Sequence, residues 1–290
     1  MFATLLGALP PDPDLAGGTA EERIRRTVVD LETAGLELLS DGEPLDLTAP
    51  PEPAAVVDGW RRATAVASRP VKQVLAGPYS AGRAGPGDRS ATAWAEALRP
   101  TIAALADAGC PFVEIDEFDA LAITVVASER RRFVDAHRRM TDGIGGIHLS
   151  LALTGGDLDG AGAATFFDLP YASYAFDLIA GPENWRLIAV APGDRGIVCG
   201  ALSAQTGADM TREVLVWAAH YAASTNGRGL ERIGLANASS LAALSRAEAL
   251  ARLKVVAEAA RMAAIESPDE LARVVDPRAI GHRRPGRARL

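Results

Sequence analysis

The chain has 290 residues, a formal net charge of −7, 48% apolar and 23% charged residues, a composition that supports a sizeable core and excludes a disordered chain. The acidic balance leaves no footprint for nucleic acid, and the two cysteines, Cys110 and Cys199, are too few for a disulfide framework or a thiolate metal cluster. No run reaches the roughly 18 to 20 apolar residues of a membrane span, and the start of the chain lacks the charged and apolar regions of a secretion signal, so a reducing, cytoplasmic setting is expected.

In chain order, short apolar runs alternate with segments of helical periodicity, the pattern of βα units. A strand is predicted over Phe2 to Leu6 and a helix over Ala20 to Thr33. The second strand, Leu36 to Leu39, ends on Ser40-Asp41-Gly42-Glu43-Pro44. The third, Val71 to Leu75, carries Lys72 near its start and leads through Ala76-Gly77-Pro78-Tyr79-Ser80 into a Gly/Pro-rich loop at Ala81 to Asp88. After a helix over Thr92 to Ala108, the fourth strand, Phe112 to Ile115, runs into Asp116-Glu117. A helix over Ser128 to Arg139, the fifth strand, Ile147 to Leu153, and a loop at Gly155 to Ala163 follow. The sixth strand, Ala172 to Leu178, has Asp177 near its end, and the seventh is Gly196 to Val198. A helix over Thr211 to Ser224 precedes the eighth strand, Ile233 to Leu235, then Asn237-Ala238-Ser239-Ser240 and a helix over Arg246 to Ala264. This pattern predicts one α/β domain, a single (β/α)8 TIM barrel over residues 1–275, with a basic tail over 276–290 that is expected to fray. A doubly wound sheet is the alternative, but Gly7-Ala8-Leu9-Pro10-Pro11 is not its glycine fingerprint.

Barrel active sites form at the carboxyl ends of the strands, so polar residues there are the candidates. Asp41 and Glu43 flank a glycine and read either as a cation, amine or proton-transfer site or as a solvated turn. Alternation puts Glu114 and Asp116 on one face and Glu117 at the rim. Three acids closing one strand are hard to explain by packing. His148 and Ser150 share a face of the fifth strand, although a lone strand histidine is commonly a satisfied core residue. Lys72 reads as a buried cation or as an ion pair at the bottom of the barrel.

Taken in order, these segments resemble the catalytic barrel of cobalamin-independent methionine synthase, within the uroporphyrinogen decarboxylase-like superfamily. Leu6-Gly7-Ala8-Leu9-Pro10 is similar to that family's Ile-Gly-Ser-Phe-Pro, Asp41-Gly42-Glu43-Pro44 to its Gly-Glu-Pro, and Ala76-Gly77-Pro78 to its Thr-Gly-Pro. Ile115-Asp116-Glu117 is similar to its Ile-Asp-Glu-Pro, the most specific of the set. His148-Leu149-Ser150 stands for His-x-Cys, and Asn237-Ala238-Ser239-Ser240 for Asn-Pro-Asp-Cys.

In that family, zinc held by His, Cys, Glu and Cys ionises the homocysteine thiol, which takes a methyl group from a folate. Here the resemblance implies a degenerate zinc site at His148, Ser150, Asp177 and Ser240. Serine hydroxyls supply neither the charge nor the softness of thiolates, so zinc is not expected. Glu43 and Asp116 match the two carboxylates that hold the amino group, which implies a small amine-bearing substrate, with Asp41, Glu117 and Tyr79 beside it. Ala8 stands where the family has the serine for the substrate carboxylate. The tryptophan expected after Gly-Pro is absent, Tyr79 being the nearest aromatic, which counts against folate. The implied activity is zinc-independent methyl or alkyl transfer, or C–S lyase chemistry, with His148 as general acid or base and Ser150, Asp177 and Ser240 orienting the reacting group. A non-catalytic small-molecule-binding or partner subunit is the second reading, and decarboxylation in the manner of the porphyrinogen branch the third. A homodimer or a partner enzyme is compatible with the first two.

Overall fold

Alternating apolar runs and amphipathic segments give strands and helices that bury their apolar faces against one another. The computed structural model describes residues 1–84 and 90–275. Seven parallel strands form one sheet: β1 (Phe2–Ala3), β2 (Gln73–Ala76), β3 (Phe112–Glu117), β4 (His148–Leu153), β5 (Ser173–Asp177), β6 (Gly196–Leu202) and β7 (Ile233–Asn237). Their order is β1-β7-β6-β5-β4-β3-β2.

The predicted second strand is reduced to two isolated parallel bridges, Thr4↔Leu38 and Leu39↔Val71, which lie between the edge strands β1 and β2. Leu38 donates to Ala3 O at 3.2 Å, Leu39 donates to Pro70 O at 2.9 Å, and Lys72 donates to Leu39 O at 2.8 Å. Pro70 has no N–H to give back, so the ladder cannot extend past this point.

The helix predicted at Ala20 runs over Ala20–Ala34, started by a Thr19–Glu22 capping box and ended by Gly35 in the left-handed region at φ 94°. Ala91–Asp107, Ala127–Thr141, Arg212–Ser224 and Arg246–Ala263 occupy the other predicted positions, with Ser90 and Ser245 capping two of them. A further helix, Pro53–Val66, was not predicted; its buried stripe is only Val57, Trp60 and Ala63, too sparse a period to stand out. The start of the predicted Ala81 to Asp88 loop is instead the end of a short helix, Pro78–Ala84. The rest of that loop from residue 85, and the basic tail 276–290, lie outside the described residues. No described helix is long and apolar enough to cross a membrane.

Strand alternation sorts side chains to two faces. Val113, Ile115, Leu149, Leu151, Tyr174 and Phe176 pack with the helices in the main core. On the other face, Leu6, Ala152, Ala175, Val198 and Ala236 form a separate cluster with Phe2. Most of this inner set is small, and the buried polar residues Lys72, Glu114, Asp116 and Ser150 share the same face.

Candidate active site

β3 carries Asp116 at its carboxyl end, between Ala76 on β2 and Ala152 on β4. Asp116 is 5% exposed, and its Oδ1 has no hydrogen-bond partner among the described residues. Burial foremost, then the charges of Glu114 and Glu117, push its carboxyl up to about 7, against the opposing charge of Lys72. A buried carboxyl that exchanges its proton near neutrality can serve as general acid or base, or as partner to an ammonium. Deeper on the same face, Lys72 Nζ donates to Glu114 Oε2 at 2.6 Å and to Leu5 O at 2.7 Å. Of the two readings open for Lys72, the ion pair is the one observed.

Glu117 points the other way. Its fully buried carboxylate accepts from Tyr79 N at 2.9 Å, Ser80 N at 2.7 Å and Ser80 Oγ at 2.5 Å, and lies 2.9 Å from His137 Nε2 on helix Ala127–Thr141. His137 Nδ1 in turn meets the Tyr171 hydroxyl at 2.5 Å. Gly77 donates to Asp116 O at 2.8 Å, and a Cβ on Gly77 would collide with the Glu117 carboxylate. Glu117 therefore clasps the Gly77-Pro78-Tyr79-Ser80 turn to the end of β3. It is spent on backbone amides and a histidine, not offered at the rim to a substrate. Sequence reasoning missed His137, whose only signal was its place on the buried stripe of its helix. Glu117, expected at the rim, follows the strand alternation to the face opposite Asp116.

The other expected residues do not converge on Asp116. Asp41 is half-buried and pushed up to about 6, first by desolvation and also by Glu43, while a hydrogen bond from Glu43 N at 3.2 Å opposes the rise. Glu43 is exposed, 3.6 Å from Arg23, and lines a cleft of about 170 Å³ with Leu9, Pro10 and Arg246. Tyr79 is buried, its hydroxyl donates to Glu129 at 2.9 Å, and Arg83 covers its ring.

His148 opens β4, at the amino end of the sheet, away from the carboxyl-end ring in which it was expected. It stacks on Phe112 with centroids 4.4 Å apart, meets Ser173 Oγ at 2.8 Å, and lines a cavity of about 280 Å³ with Phe2 and Gly196. Burial holds its pKa below the ordinary value. The inner position at the carboxyl end of β4 is Ala152. Ser150, between the two, is buried with Oγ unpartnered. Asp177 accepts from Gly155 N, Ile179 N and Ala180 N, so it caps the turn after β5. Ser240 Oγ accepts from Ala8 N and Ala242 N, and Asn237 bonds Leu6 through both side-chain ends, tying β7 to the segment after β1. His148 thus lies at the amino end of the sheet while Asp177 lies at the carboxyl end, and no cluster of three or more His, Cys, Asp or Glu with metal-binding geometry occurs among the described residues.

No protein-family model and no curated protein sequence matches the chain. Solved structures do. A B12-independent methionine synthase from Shewanella sp. W3-18-1, in complex with selenomethionine, matches with a TM-score of 0.70 at 14% identity, over 90% of this chain and 96% of that one. A putative vitamin-B12 independent methionine synthase from Listeria monocytogenes matches at 0.70 and 15%, over 90% and 97% of the two chains. A methyltransferase from Methanosarcina mazei matches at 0.65 and 12%, over 90% and 94%. The likeness is one of fold.

Proposed function

We propose that the chain is a (β/α)8 barrel of the methionine-synthase type that binds a small amine-bearing molecule at Asp116 and transfers a methyl or alkyl group without zinc. The bridges at Leu38 and Leu39 support eightfold closure, because that segment supplies the eighth stave between β1 and β2. The observation that carries the reading is Asp116 itself, a buried carboxyl with a free oxygen at the carboxyl end of β3, flanked by the small side chains of Ala76 and Ala152.

An ammonium brought to this carboxyl forms a charge-assisted hydrogen bond in a poorly solvated place. The amine also restores the ionised form that burial and the neighbouring acids disfavour. The displacement of His148 removes the expected general base, and this favours the second reading, a non-catalytic binding subunit on the same barrel.

Isothermal titration with homocysteine, methionine and simple primary amines tests the proposal. Binding is expected to weaken at least about tenfold in Asp116→Asn and to weaken as pH falls through about 7, where Asp116 takes up its proton. Amine binding that survives Asp116→Asn unchanged would overturn it. Methyl transfer from a methylated donor to a bound thiol, followed by mass spectrometry, separates the enzyme from the binding subunit.

A further inference from the structure

We propose that Glu114, Lys72 and Ser150 are positioning residues for Asp116: the Lys72–Glu114 ion pair holds an internal water that joins Glu114, Ser150 and Asp116 and aims the Asp116 carboxyl. The inference rests on Asp116 being the working carboxylate of the site. Three buried polar atoms on one patch of the inner face have no partner among the described residues: Glu114 Oε1, Asp116 Oδ1 and Ser150 Oγ. Glu114 and Ser150 are register partners on adjacent strands, so their Cα atoms lie about 5 Å apart, and Asp116 lies two residues further along, about 7 Å from Glu114.

Buried polar atoms of this kind are satisfied by internal water when the surroundings are polar and leave room for it. The flanking residues Ala76 and Ala152 have no side chain long enough to fill the space or to bond these atoms. Lys72 already holds the other oxygen of Glu114 at 2.6 Å, which fixes the direction of the free one. The charged groups acting on Asp116 are Glu114 and Glu117 on its own strand and Lys72 from the β2 side, while β4 presents Ser150 and Ala152 beside it and the titratable His148 at the far, amino end of the same face. A like charge raises the proton affinity of Asp116 and an opposite one lowers it.

The test is a ¹³C-carboxyl NMR titration of ligand-free protein, with the Asp116 resonance assigned by its loss in Asp116→Asn. Glu114→Gln is expected to lower the Asp116 midpoint and Lys72→Met to raise it, opposite displacements that a merely structural role would not produce. Because Lys72→Met leaves Glu114 buried without a partner, the double variant Lys72→Met/Glu114→Gln is measured beside it. Its midpoint is expected between those of Glu114→Gln and the unaltered protein. A high-resolution crystal structure is expected to hold the water, and one of Ser150→Ala to lose it. An Asp116 midpoint that moves by less than about 0.3 pH unit in Glu114→Gln, or a crystal structure with no water bonded to Glu114 and Ser150, overturns the proposal. Because no ligand is present, a failure of amine binding leaves these readouts intact and sinks only the functional reading.

Discussion

Replacing Asp116 with Asn keeps the shape of the side chain and removes its ionisation, so the effect on stability depends on pH in a calculable way. In the folded protein the carboxyl holds its proton up to about 7, against an ordinary value of 3.8. A folded-state value above the unfolded one means that the folded protein binds the proton more tightly. Its stability therefore falls as pH rises from 3.8 toward 7 and levels off above. At about 1.4 kcal/mol for each tenfold change in proton affinity, the full span is at most about 4 kcal/mol. Between pH 5 and pH 8.5, about 2 to 3 kcal/mol of it is expressed. Any loss from placing an amide against the unpartnered site is the same at both pH values and cancels. Urea unfolding of the two proteins at these pH values is expected to show Asn gaining on Asp by that amount at the higher pH. Parallel stability curves would refute the burial argument, since a solvated carboxyl would show no such difference.

Gly77→Ala drives a methyl group into the Glu117 carboxylate that clasps β3 to the following turn. A loss of about 2 to 3 kcal/mol in urea unfolding is expected, because neither the strand end nor the buried acid can move aside. His148→Ala, at the amino end of the sheet, is expected to leave amine affinity within about twofold by titration calorimetry, since a residue remote from the ligand adds nearly independently. A tenfold loss there would return His148 to the site.

Seven strands, five long helices and the acidic end of β3 were legible in the sequence, because period and alternation are local properties of the chain. The shared face of Asp116 and Glu114 followed from the same alternation, whereas Glu117, expected at the rim beside the substrate, is turned to the opposite face. What Glu117 does was not legible, since its partners Ser80 and His137 stand 37 and 20 residues away by sequence number and meet only when α and β layers pack. The short motifs misled in a particular way at His148. The motif match put His148 among the carboxyl-end residues although the strand predicted from Ile147 starts beside it, and its pairing with Phe112 places it at the amino end. Asp177 and Ser240 were found as polar strand ends but turned out to be consumed by backbone amides, a demand that only the folded turns create. The sequence by itself determined the α/β class with a parallel sheet and the face that Asp116 shares with Glu114. Tertiary structure alone decided which of the polar residues are consumed by turns and backbone amides and which buried oxygens are left without a partner, because hydrogen-bond satisfaction is set between strands and loops and not along them.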